Sequence, residues 1–115
     1  MIYKKHLSEP WFSLIKLKLK KCEGRLNKGD FAKMNKGDMI EFFNDDFGNR
    51  KFKCKITSIH YYKNFRSYLE NETLEKCLPG IDTIKDGLNV YYKYFSKEKE
   101  KEYGIVAIRI MVIKN

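Results

Sequence analysis

The stretch Lys18-Leu19-Lys20-Lys21-Cys22-Glu23-Gly24-Arg25-Leu26 gathers four cations and one carboxylate within nine residues. If a helix ends near Lys20 and a strand begins at Cys22, Lys20 lies at the helix exit. Glu23 and Arg25, two apart, then share one face of the strand. Opposite charges on one strand face either pair at the surface or line a polar cleft. A lysine beside a carboxylate is held charged by it, or driven toward the neutral form by burial. Such a group has the chemistry to bind phosphate or to serve as a nucleophile or base. The competing reading is an ordinary solvated cluster of Lys, Glu and Arg, and spacing alone favours it.

The rest of the chain offers less. His6 and His60 lie far apart and read as surface or strand residues. No P-loop, dinucleotide fingerprint, HExxH or G-x-S-x-G stretch is present. Cys22, Cys54 and Cys77 are odd in number and lack CxxC spacing, which gives neither a disulfide framework nor a zinc site. No metal or cofactor is therefore expected. Three isolated thiols fit a reducing compartment. The opening MIYKKHLSEPW is too charged for a signal peptide, and no run approaches the length of a membrane span. A soluble intracellular protein, in cytoplasm or nucleus, is expected.

Positioning such a cluster takes a packed scaffold. The 115 residues suit one domain over 1–115, and 43% hydrophobic with 15% aromatic residues argues against a disordered basic tail. The formal net charge is +9, and residues 1–63 carry 15 basic and 7 acidic groups. A regional basic field attracts polyanions, nucleic acid first and acidic membrane second. The competing explanation is a lysine-biased composition, since 20 of the 24 cations are lysines.

Residues 2–7 read as a short strand. Ser8-Glu9-Pro10 is a helix-start signal, and Trp11, Phe12, Ile15 and Leu19 share one helical face. Residues 15–20 also alternate apolar and basic as a strand would. The proline start favours a helix over 11–20, with Lys16, Lys18 and Lys20 around its polar side. Strands are expected at 22–26, 39–43 and 50–59, the last with Lys51, Lys53 and Lys55 in water. Short helical turns fit 31–34 and 74–78, and helices fit 64–71 and 83–95. A charged helical extension covers 96–102. The β-branched run 105–113 is too apolar for an edge and should be a central strand, broken by Arg109. This order gives an α+β domain on a small mixed sheet or barrel.

The pattern Ser8-x-Pro10-Trp11, Leu14-Ile15, Lys20-x-x-Glu23-x-Arg25 and Lys36-Gly37-Asp38-Met39-Ile40 resembles the ASCH domain, of the PUA-like group. Lys18 stands where that signature has glycine. The resemblance implies a PUA-like β-barrel of five or six strands flanked by helices. Lys20, Glu23 and Arg25 would line a cleft between barrel and helix, with Trp11 beside it. It also implies RNA or a nucleotide as partner, with Lys18, Lys21 and Arg109 as further basic candidates. Some relatives are enzymes. One branch is an acetylcytidine amidohydrolase using lysine, threonine and glutamate; here Lys20 matches the lysine, and Glu23 occupies the threonine position. Others are reported as ribonucleases. If the chain is an enzyme, Lys20 and Glu23 are its catalytic candidates.

Three readings follow from the sequence. The first is an RNA- or nucleotide-binding module in which Trp11, Tyr61 or Tyr62 stacks bases. The second is a hydrolase acting on RNA or a modified nucleoside. The third is a protein-interaction adaptor that kept the fold and lost the site. A membrane role is the weakest, since no segment pairs a large apolar face with a clean basic one.

Overall fold

In the computed structural model, residues 1–113 are described; Lys114 and Asn115, the end of the expected 1–115 domain, lie outside them. Five strands form one curled sheet: β1 (Ile2–His6), β2 (Cys22–Leu26), β3 (Met39–Asn44), β4 (Arg50–Tyr62) and β5 (Ile105–Val112). Six short helices surround it: α1 (Trp11–Lys16), α2 (Asp30–Lys33), α3 (Phe65–Glu72), α4 (Leu74–Cys77), α5 (Ile84–Tyr92) and α6 (Lys97–Tyr103). The strand order is β1-β3-β4-β5-β2. Only β1 and β3 run parallel; the other three pairings are antiparallel. The expected α+β, PUA-like architecture is present, as a five-stranded half-barrel. β1 and β2 form its two free edges, and the seam between them is where the barrel stays open.

The elements follow the side-chain patterns. Along β4, Cys54 and Ile56 are buried while Lys51, Lys53 and Lys55 stay in water. A register shift between Ile56 and Ser58 lets this long strand bend and serve both halves of the sheet. β5 pairs with β4 on one side and β2 on the other, so the apolar run is central as expected. Asn64, Thr83 and Ser96 each accept a hydrogen bond from a backbone N–H in the first turn of α3, α5 and α6. α5 is shorter than the expected 83–95, but Tyr94 and Phe95 still donate backbone bonds to the Tyr91 carbonyl.

The sheet divides the apolar residues into two cores. Phe12, Ile15, Ile40, Phe42, Cys54, Ile56, Val106 and Ile108 fill the concave side. Cys22, Phe65, Tyr68, Leu69, Cys77, Leu78 and Ala107 pack beneath the helices on the other. Trp11 touches both. No helix among the described residues is long and apolar enough to cross a membrane.

The helix expected over 11–20 ends at Lys16. Its last turn is closed by Lys18 N–H to the Ile15 carbonyl (2.8 Å) and Leu19 N–H to the Leu14 carbonyl (2.9 Å). This is a Schellman end, and it places Lys18 at φ 66°, a conformation that favours glycine. The turn implied by the signature therefore survives without its glycine. The alternation over 15–20 reflects this reversal, not a strand. The helix start also differs from expectation. Ser8 makes no side-chain cap; instead the Glu9 carboxylate accepts from Ser13 N–H (3.0 Å) and Oγ (2.6 Å).

Candidate functional site

Once α1 has ended, the chain turns inward and carries Lys20 with it. Lys20 is only 2% exposed, which corrects its expected place on a solvated helix face. Its ammonium donates to the carbonyl of Cys22 (2.7 Å), to the carbonyl of Cys77, and lies 3.2 Å from Glu23 Oε1. Trp11 lies beside it, with the ammonium 5.8 Å from the ring centroid. All three ammonium protons thus have an acceptor.

Glu23 is 4% exposed and bridges two cations, because Arg25 Nε donates to its Oε2 at 2.9 Å. The period-two geometry of β2 does put Glu23 and Arg25 on one face. Burial works against charging Glu23. Lys20 and Arg25 together outweigh it and hold the carboxyl below its ordinary range. Among the described residues each Glu23 oxygen has one partner, Lys20 on Oε1 and Arg25 on Oε2, against about two acceptor positions per oxygen.

Gly24 makes the approach from the other side of the strand possible. A Cβ there would sit 2.4 Å from the Tyr68 ring, so only glycine lets α3 pack against this part of β2.

These residues floor a cleft of about 300 Å³ in the barrel seam. His6, Leu7 and Ser8, at the end of β1, form one wall. Glu23, Gly24 and Arg25 of β2 form the floor. Trp11, Tyr91, Tyr94 and Phe95 supply aromatic surface. The structure brings Trp11, Lys20, Glu23 and Arg25 together, the grouping that the family resemblance implied. Lys18 and Lys21 do not line this cleft; they border a separate depression beside Met111. Arg109 is also elsewhere. It pairs in register with Cys22, one residue from Glu23, and so projects from the opposite face of the sheet, where it binds Glu72. Tyr62 bonds to the same Glu72, and Tyr61 is exposed but does not line the cleft.

Sequence reasoning missed the far wall. Tyr91, Tyr94 and Phe95 follow at i, i+3 and i+4, a spacing that reads as core packing. Tyr91 does pack, with its ring stacked on Phe65 at 4.5 Å, yet it still reaches the cleft. The one signal in the sequence is that Tyr94 falls outside the stripe of Ile84, Leu88, Tyr91, Tyr92 and Phe95, and in the structure it is 55% exposed.

The half-barrel thus carries a charged, aromatic-walled seam between its two edge strands. Residues 6–114 match the ASCH domain, and the chain belongs to that family. Its fold is similar to the crystal structure of hypothetical protein PH0355 (37% identity, TM-score 0.89, 98% of this chain and 100% of that one). It is also similar to the solution NMR structure of protein PF0455 from Pyrococcus furiosus (38% identity, TM-score 0.81, 100% of both chains). No curated protein matches the chain.

Proposed function

We propose that the chain is an RNA-binding module whose seam cleft receives one unpaired nucleotide. The observation that carries this reading is Glu23: a buried, charged carboxylate, with one partner on each oxygen among the described residues, on the floor of an aromatic-walled cleft. A volume of about 300 Å³ is at the small end of ligand cavities and suits a single base. The aromatic walls suit a flat π-surface. A carboxylate held by Lys20 and Arg25 accepts from an exocyclic amino group, which cytosine, adenine and guanine carry and uracil lacks. The basic first half of the chain attracts the phosphates.

Hydrolysis centred on Lys20 has less support. Its Nζ is turned to the carbonyls of Cys22 and Cys77 and to Glu23, which ties it to the protein's own acceptors and not to a substrate.

The test is fluorescence anisotropy with short single-stranded RNA of each base. Binding should weaken steeply between about 50 and 200 mM salt and should be weakest for strands of uracil alone. Binding that is flat over that range, or unchanged in Glu23→Gln, overturns the reading.

A further inference from the structure

The seam cleft does not end at Arg25. A second cavity, of about 540 Å³, shares Arg25, Tyr94 and Phe95 with the first and continues along the surface past Lys5, Lys28 and Lys99. Its single carboxylate, Asp30, is already engaged by Lys5 at 2.7 Å. Lys28 and Lys99 both lie against the Tyr103 ring, at 5.0 and 5.7 Å from its centroid, and neither pairs with a carboxylate among the described residues. The two lysines thus present uncompensated charge from two separate elements, the loop after β2 and helix α6.

Arg25 stands at the junction with a donor to spare. Its Nε is used by Glu23, and its Nη2 lies 3.5 Å from the His6 carbonyl. The guanidinium rests 4.9 Å over the Phe31 ring. Its Nη1 has no partner among the described residues. A guanidinium fixed on one edge and open on the other is suited to a phosphate oxygen.

From the shared Arg25 wall and the uncompensated Lys28–Lys99 pair, we infer that the ligand is a strand, not a free nucleotide. This rests on the RNA reading above and extends it. One base enters the seam cleft, the adjoining phosphate meets Arg25, and the next phosphate runs into the second cavity between Lys28 and Lys99. The minimal high-affinity ligand is then a short oligoribonucleotide, and its grip should grow with each added phosphate until the second cavity is filled.

The experiment compares cytidine, cytidine monophosphate, a dinucleotide and a tetranucleotide by calorimetry and anisotropy. The proteins are the wild type, Lys28→Ala/Lys99→Ala, and Lys53→Ala/Lys55→Ala on the exposed face of β4. Wild type should bind the tetranucleotide far better than the monophosphate. The Lys28/Lys99 double variant should bind the tetranucleotide about tenfold more weakly. Its salt slope should fall by about 0.7, the contribution of the one single-strand phosphate held between the two lysines. Its binding of cytidine should be unchanged. The Lys53/Lys55 variant should behave as wild type. Equal tetranucleotide binding by wild type and the Lys28/Lys99 variant overturns the channel while leaving the base site standing. Equal losses in both double variants also overturn it, by showing diffuse attraction. If wild type binds none of the four ligands, the RNA reading falls with it.

Discussion

Glu23 and Glu72 are both buried carboxylates held by an arginine, and they lie on opposite sides of the same sheet. Glu72 accepts from Arg109 Nε (2.8 Å) and the Cys22 thiol (3.8 Å) on one oxygen, and from Tyr62 (2.5 Å) and Arg109 Nη2 (3.4 Å) on the other. Every lone-pair position it has is used. Glu23 has two partners among the described residues, one on each oxygen, and it faces a cleft. Both carboxyls are held below their ordinary range, against the effect of burial, by their cationic or hydrogen-bonding partners. Burial, charge and depressed pKa therefore do not tell the two carboxylates apart. The number of partners on each oxygen does.

The largest difference should appear when each carboxylate is removed. Glu23→Ala strands the Lys20 ammonium in a nearly dry site and should destabilise the fold by about 3–5 kcal/mol. Glu72→Ala should cost less, about 2 kcal/mol, because Arg109 is 44% exposed and recovers water. Urea unfolding of both variants measures the gap. Equal losses would mean that Lys20 is better hydrated than its geometry implies.

The two arginines should separate by function. Arg25→Ala is expected to weaken binding of single-stranded RNA by about tenfold or more, roughly one charge-assisted contact to phosphate. Arg109→Ala should leave it unchanged within twofold. Anisotropy at fixed salt reads both, and a loss in Arg109→Ala comparable to that in Arg25→Ala would remove the distinction between the two faces.

Acid should affect both faces in the same direction. Each carboxyl has a lower pKa folded than unfolded, so the unfolded chain binds more protons between the two values. The stabilisation is complete above the ordinary carboxylate value of about 4.3. It is lost as pH falls through the lowered folded values. Urea midpoints from pH 7 to pH 3 should hold steady and then drop, with a shallower drop in Glu23→Gln and in Glu72→Gln. A midpoint that rises on acidification would contradict the sign.

The smallest effect lies outside both carboxylates. Lys18→Gly relieves the positive φ at the end of α1 and should raise stability by about 0.5–1 kcal/mol, after the entropy that glycine adds to the unfolded chain. Thermal melts check it, and RNA affinity should not change, since Lys18 does not line the cleft.

Much of the scaffold was legible because its signals were periodic. The alternation along β4 and the apolar run of β5 gave strand positions and even the central place of β5. The Glu23-x-Arg25 spacing gave the shared strand face, but spacing alone favoured a solvated cluster, and the cleft itself came only from the resemblance to the ASCH domain. What stayed hidden depended on long-range packing. Nothing local to Lys20 indicates that the carbonyl of Cys77 will receive it. Nothing near Tyr91 distinguishes a core ring from one that also walls a cavity. Arg109 illustrates the same limit: its charge was visible, but its face was set by register with Cys22, which no sequence pattern encodes.

The strand order has a consequence for how the molecule is made. β2 pairs with β5 alone, and Glu23 lies opposite Ile108 in that pairing. During synthesis from the N-terminus, Glu23 and Arg25 leave the ribosome long before any partner for their strand exists. β1, β3 and β4 can pair with one another first. The seam must wait for the final strand, so a chain arrested before Ile105 carries every residue of the cleft and has no cleft.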